Sequence, residues 1–129
     1  MKVTIKDETF AGKVLNQILI EIEKDSCSLS ELIEKRVKAE VEKFNQQRPK
    51  YYTGLVQPTT SEATLNGYLM GNRKRIDADR QVRIALKAFK SNAFFVLVDD
   101  EQITELEETI ELHSERKISF IKLTPLVGG

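Results

Sequence analysis

The chain has 129 residues, of which 40% are hydrophobic and 31% charged, with 20 Lys and Arg balanced by 20 Asp and Glu and a single Cys. That length buries a core without staples. Zero net charge leaves no global field to draw in nucleic acid or an anionic membrane, and the lone Cys27 excludes an internal disulfide. No apolar run approaches the roughly 20 residues of a membrane span, and the N-terminus lacks the charged-then-apolar pattern of an export signal, so a cytoplasmic protein is expected.

Met1, Val3 and Ile5 alternate with Lys2, Thr4 and Lys6, the period of a strand with one buried face. A turn-like stretch from Asp7 through Gly12 leads to Ile18, Ile20 and Ile22, which alternate with Gln17, Glu21 and Glu23. The two runs predict an antiparallel hairpin with a loose loop. Leu19 interrupts the polar face and Phe10 sits in the loop; both are expected to pack back onto the sheet.

Ser28-Leu29-Ser30-Glu31 has the spacing of a capping box, in which hydroxyl and carboxylate satisfy free backbone N–H groups at a helix start. Leu29, Leu32, Ile33, Val37, Val41 and Phe44 then recur at three- and four-residue steps, with Glu34, Lys35, Lys38, Glu42 and Lys43 around the rest. This predicts a helix laid by one face on the sheet. It ends near Asn45 to Arg48, because Pro49 disfavours helical geometry in the residue before it.

From Pro49 to Arg75 no period is sustained, and Pro49, Gly54, Pro58, Gly67 and Gly71 punctuate the chain. So long a loop is unusual inside a domain, which points to short strands or turns within Tyr52 to Val56 and Ala63 to Met70. Tyr51, Tyr52, Tyr68, Leu69 and Met70 are expected to pin this segment to the body. Arg73-Lys74-Arg75 is basic but has no stacking platform beside it, so nucleic-acid binding is not expected. Asp77 or Asp79 then caps a second helix, with Val82, Ala85, Leu86 and Phe89 inward and Arg80, Arg83, Lys87 and Lys90 outward, stopping at Asn92.

Ala93 to Val98 is a continuous apolar run followed by Asp99-Asp100, which predicts a doubly covered strand and a turn. In Gln102 to Leu112 the glutamates favour helix while Thr104, Thr109 and Ile110 favour strand. A short strand at Gln102 to Thr104 with a turn beyond it is the reading that results. His113 stands without a second ligand and Cys27 without a base, so neither a metal site nor an enzyme is expected. Lys117 to Leu123 sets Ile118 and Phe120 on one face and Ile121 and Leu123 on the other, a strand covered on both sides.

That strand runs directly into Thr124-Pro125-Leu126-Val127-Gly128-Gly129. Pro125 has no N–H and ends strand pairing. Gly128 and Gly129 can thread a channel too narrow for any side chain and deliver the carboxylate of Gly129 to another molecule's reactive site. Leu126 and Val127 would hold the tail extended in such a channel. The plainer alternative is a frayed terminus.

The opening Met1 to Lys6, the Gly12 turn, the return strand at Ile18 to Glu23 and the helix after Ser28 resemble ubiquitin. The ending Ile118 to Gly129 is similar to that of the sulfur carriers of thiamine and molybdopterin synthesis. Taken in order, the elements resemble the ubiquitin-like β-grasp proteins, with the bacterial ubiquitin-like modifiers of antiviral defence operons as the nearest kind. The resemblance covers both ends of the chain, and the segment from about 48 to 92 has no counterpart in it.

It implies an α+β fold: a β-grasp mixed sheet over residues 1–123, a crossover helix, an inserted segment carrying a second helix, and a flexible tail at 124–129. It implies that an activating enzyme, using ATP and magnesium, adenylates the Gly129 carboxylate. A thioester follows, and a conjugating enzyme then forms an isopeptide bond to a target amine. A JAMM-type protease would process the product. The chain itself would need no cofactor and would be a monomer. Two alternatives remain open here: a sulfur carrier with a C-terminal thiocarboxylate, and an interaction module that is never conjugated.

Overall fold

The computed structural model describes residues 1–59, 61–70 and 75–123. β1 (Lys2–Glu8) turns Val3, Ile5 and Asp7 inward, and β2 (Val14–Glu21) returns antiparallel to it with Val3 opposite Ile20 and Ile5 opposite Ile18. Asp7 is therefore a buried strand residue and not the start of the turn that the sequence suggested. The turn itself is Thr9 to Gly12, closed by a bond from the Gly12 N–H to the Thr9 carbonyl at 3.0 Å. Gly12 sits at φ +86°, in left-handed space that costs a glycine nothing.

β3 (Ser26–Ser28) leads into α1 (Leu29–Gln47). The Ser28 hydroxyl accepts the Glu31 N–H at 3.1 Å, so the expected cap is formed. Leu29, Leu32, Ile33, Val37, Val41 and Phe44 are all buried, as the periodicity predicts, and Arg36 is buried among them. Each such aliphatic or aromatic side chain contributes about 1.5–3 kcal/mol to holding the helix on the sheet. The helix closes when Arg48 turns left-handed at φ 45° and its N–H reaches the Phe44 carbonyl.

The described residues of the inserted segment form short strands. β4 (Tyr51–Tyr52), β5 (Ser61–Thr64) and β6 (Gly67–Met70) form a small antiparallel sheet in the order β4-β6-β5. Tyr52, Leu55, Val56 and Met70 are buried and belong to the main core, with Tyr68 packed against it, so Tyr52, Tyr68 and Met70 pin the segment as expected, whereas Tyr51 and Leu69 are only half-buried. Tyr52 meets Phe44 edge-on at 5.6 Å and stacks on Tyr68 at 6.4 Å. Leu65, at the hairpin tip, is exposed.

α2 (Ala78–Lys90) is capped by Asp77, whose carboxylate accepts the Arg80 N–H at 3.2 Å. It buries Gln81, Val82, Ala85 and Phe89, with Leu86 partly buried, and packs beside α1. Polar bonds fasten this region to its neighbours. The Asn45 side chain donates to the Ile76 carbonyl at 3.0 Å and accepts the Ile76 N–H at 2.8 Å, while the Gln81 amide donates to the Val56 carbonyl at 2.7 Å. Asn92 follows the helix at φ 59°, the left-handed stop that Asn tolerates.

β7 (Phe94–Val98) and β8 (Glu101–Ile103) form a hairpin whose turn residues Asp99 and Asp100 are both left-handed, as a two-residue hairpin turn demands. β9 (Thr109–Glu111) pairs with β3, Cys27 opposite Ile110, where the sequence suggested only a turn. The strand preference of Thr109 and Ile110 prevails because the start of α1 needs that segment alongside. Leu29 and Ser30 donate their N–H groups to the Glu108 and Leu106 carbonyls at 3.0 and 2.9 Å.

β10 (Ile118–Lys122) completes a five-stranded sheet in the order β2-β1-β10-β7-β8. β1 and β10 are parallel, Ile5 beside Ile118, and every other pair is antiparallel. The fold is thus α+β, a mixed sheet with two helices. Parallel neighbours so far apart in sequence require crossover chain, which the helices supply.

Both helices lie on the face that carries Asp7, Phe94 and Phe120. β7 and β10 are therefore not covered on both sides as expected: Phe95, Leu97 and Ile121 on the far face are only half-buried, and Leu123 is exposed. Leu19 also stands exposed on that face instead of packing back. Phe10 rests 5.9 Å from Phe95 yet is 68% exposed.

Candidate functional site

The residues that the sequence singles out for chemistry, Pro125, Leu126, Val127, Gly128 and Gly129, lie outside the described residues, as do Thr124 and the Arg73 and Lys74 of the basic run. Arg75 is exposed. What the structure places is the root from which Thr124 to Gly129 continue. β10 runs through the middle of the sheet, and its last rungs set Ile121 beside Glu8 and Phe95 and Lys122 beside Phe94.

Directly beneath that root is a cluster of buried charge. Arg36 grips Asp7 with both guanidinium arms, Nη1 to Oδ1 at 2.5 Å and Nη2 to Oδ2 at 2.6 Å, and its Cζ lies over the Phe120 ring, 4.7 Å from the centroid. Glu40, one turn along α1, accepts from the same Nη2 at 3.3 Å and from the Leu55 backbone N–H at 3.1 Å. Lys122, inward-facing at the end of β10, donates to the Gly54 carbonyl at 3.2 Å. Two acids and two bases thus meet where β1, α1, β10 and the 52–56 loop converge.

Burial shifts these groups in ways that depend on their partners. Desolvation alone would lower Arg36, but Glu40 and Asp7 more than reverse it and hold the guanidinium charged. Burial raises Glu40 against the pull of Arg36, and burial lowers Lys122. Tyr52 and Tyr68, packed against the cluster, are pushed up by burial, with the Glu40 charge adding to it.

The geometry is that of a fastening. Asp7 and Arg36 are bonded to each other and both are buried, and Glu40 and Lys122 each tie a different element to the inserted segment. The Tyr52 ring leaves no room at Gly54, where a Cβ would come within 2.2 Å of it. The loop must pass this close for the Gly54 carbonyl and the Leu55 N–H to reach their charged partners.

The sequence reading missed Asp7, Arg36, Glu40 and Lys122, although a signal was there. Asp7 continues the inward alternation of Val3 and Ile5, and Arg36 and Glu40 fall on the same helical stripe as Ile33 and Phe44. An acid at an inward strand position, opposite a base at an inward helix position, is the pattern to look for.

Cys27 is buried, and desolvation raises its thiol with Glu31 adding to the rise, so thiolate is scarce there. His113 is exposed. Among the described residues no group of His, Cys, Asp and Glu is arranged to hold a metal ion, and no helix is long and apolar enough to cross a membrane. No protein-family model, curated protein or solved structure matches the chain.

Proposed function

We propose that this chain is a ubiquitin-like modifier of the β-grasp class, a cytoplasmic protein whose Gly129 carboxylate is activated by one partner and joined to target amines by another. The observation that carries the reading is the parallel pairing of β1 with β10 at the centre of a sheet ordered β2-β1-β10-β7-β8, crossed by α1 on one face. Adjacent, parallel first and last strands are what the resemblance to β-grasp proteins implies, and this pairing supports the reading. It brings the last strand to the middle of the sheet, so the sequence Leu123 to Gly129 follows from a firmly held base.

The chemistry acts on the chain. In an activating enzyme supplied with ATP and magnesium, a Gly129 carboxylate oxygen attacks the α-phosphorus of ATP, forming an acyl adenylate and releasing pyrophosphate. A thiolate of that enzyme displaces AMP to give a thioester, and a conjugating enzyme transfers the acyl group to a lysine amine with release of the thiol. Gly128 and Gly129 give access to a narrow channel, and Pro125, Leu126 and Val127 supply its apolar contacts. A processing protease reverses the isopeptide bond.

The test is ATP–pyrophosphate exchange with an adenylating partner. Wild-type protein is expected to support exchange, and Gly129→Ala to reduce it sharply by crowding the channel. Exchange that is indifferent to Gly129→Ala would remove the tail from the reaction. Intact mass of the product separates the chemistries: oxygen replaced by sulfur at Gly129 identifies a sulfur carrier, and a thioester without it a modifier.

A further inference from the structure

We infer that the edge strand β2 pairs antiparallel with β2 of a second copy of this chain, joining two five-stranded sheets across a two-fold axis at Gln17. This replaces the monomer that the resemblance implies, and it does not depend on the fate of Gly129. In the order β2-β1-β10-β7-β8 the sheet has two edges, β2 and β8.

Every open sheet has edges, and proteins ordinarily blunt them with charge, brevity or a bulge. β8 shows that form: it has three residues, begins with Glu101 and follows Asp99-Asp100. β2 differs. It is eight residues long, and Val14 to Ile20 contains no charge, proline or glycine. Its one irregularity is the bulge that sets Val14 and Leu15 against the single residue Glu8. Val14, Leu15 and Leu19 are exposed.

The bonds to β1 decide which backbone groups are left over. Met1 and Ile22 bond in both directions, the ammonium to the Ile22 carbonyl at 3.0 Å and the Ile22 N–H to the Met1 carbonyl at 2.9 Å. Alternation along the antiparallel ladder then gives the backbone groups of Ile20 and Ile18 to β1 and turns those of Glu21, Leu19 and Gln17 toward the open edge. Among the described residues no strand takes them up. An added β2 can bond only in a register that sets odd-numbered residues opposite odd-numbered ones.

The side chains select the occupant and the register. With Gln17 opposite Gln17 of the second copy, Lys13 lies opposite Glu21 and Leu15 opposite Leu19, and the symmetry makes each contact twice. The neighbouring registers place Leu19 opposite Gln17 or Lys13 instead. Lys13 is exposed and enters no ion pair among the described residues. Glu21 gives one carboxylate oxygen to the N-terminal ammonium at 2.9 Å, and the other is turned to use by Lys13 of the second copy. Leu19 stands on the sheet face that no helix covers, and residues directly opposite share a face, so Leu15 of the second copy shields it. A strand of another protein would meet the same backbone groups, but this match of charge and leucine is to β2 itself. One edge pairing is a small interface, so the dimer is weak and depends on concentration.

The experiment is sedimentation velocity of the full chain from micromolar to millimolar concentration, with amide exchange at both ends of that range. Expected are a dimer that grows with concentration, several-fold weaker in K13E, recovered in K13E/E21K and at least tenfold weaker in L19K. Exchange at Gln17 and Leu19 should slow as the dimer forms. Circular dichroism establishes that the variants are folded, their substitutions being solvent-exposed. Q17C should cross-link two copies when treated with diamide, because facing residues of a bonded pair stand about 5.5 Å apart at Cα, within the span of a disulfide. Q102C, on the β8 edge, should not, and Cys27 is buried. Any of four results overturns the inference: a monomer at every concentration, a dimer unchanged in folded L19K, K13E/E21K no better than K13E, or cross-linking of Q102C as ready as that of Q17C. The first would leave the edge to a strand of another protein.

Discussion

The sheet with α1 and the inserted segment reach the same core by different means. The first is held by a continuous apolar core, Val3, Ile5, Ile118 and Phe120 with Leu29, Ile33 and Val37, and by Arg36 buried between Asp7 and Glu40. The second adds Tyr52, Leu55 and Met70 to that core but is also tied by specific polar bonds, Glu40 to Leu55, Lys122 to Gly54, Asn45 to Ile76 and Gln81 to Val56. Apolar contact tolerates adjustment, whereas a buried charge deprived of its partner does not. The two regions should therefore respond differently to single changes made where they meet.

The largest effect is expected at Asp7. Asp7→Ala takes the bidentate partner from the buried Arg36 guanidinium and leaves it to Glu40, which should cost about 3 kcal/mol in urea unfolding. The triple change Asp7→Leu, Arg36→Met and Glu40→Gln should restore most of it, because apolar side chains replace the ion pair and a neutral amide oxygen still accepts the Leu55 N–H. A triple variant no more stable than Asp7→Ala would mean that the cluster contributes directional bonding that apolar packing cannot replace.

Gly54→Ala comes next. The new methyl meets the Tyr52 ring, so the ring must move and carry the 52–56 loop off its two charged partners. A loss of about 1–3 kcal/mol is expected. Amide exchange should rise first at Leu55 and across β4 to β6, while β1 and β10 stay protected. Uniform loss of protection would show that the inserted segment and the sheet unfold as one unit, erasing the distinction between them.

The smallest effect is expected at the Tyr52 hydroxyl, which is buried without a hydrogen-bond partner among the described residues. Tyr52→Phe should be neutral or stabilising by up to about 1 kcal/mol, since it removes a desolvated polar group and keeps the ring. A clear loss of stability by calorimetry would reveal a bond that this geometry does not contain.

The same division explains how much of the molecule could be read from its sequence. Periodicity located β1, β2, α1, α2 and β10, because each has one face on a common apolar core, and an unbroken apolar run located β7. It failed between Pro49 and Arg75, where strands as short as Tyr51–Tyr52 hold too few residues to establish a period. It failed at β9 because Thr109 to Glu111 is specified by the start of α1, not by its own composition. It also over-read Ala93 to Val98, since an unbroken apolar run does not reveal whether a second layer will cover the far face.

Of the candidate site, the tail residues were legible in their chemistry alone. The charges beneath their root were not, because Asp7, Arg36 and Glu40 read as ordinary surface residues until both elements are seen to turn them inward.

The proposed acyl transfer is tested most directly by mass spectrometry of trypsin-digested lysate from cells producing the protein. Cleavage after Lys122 should leave Leu123-Thr124-Pro125-Leu126-Val127-Gly128-Gly129 attached through Gly129 to lysines of other proteins, and the account predicts such branched peptides in the wild type and none in Gly129→Ala. A wild-type lysate containing the peptide only in its unattached form, with an active adenylating partner present, would contradict it.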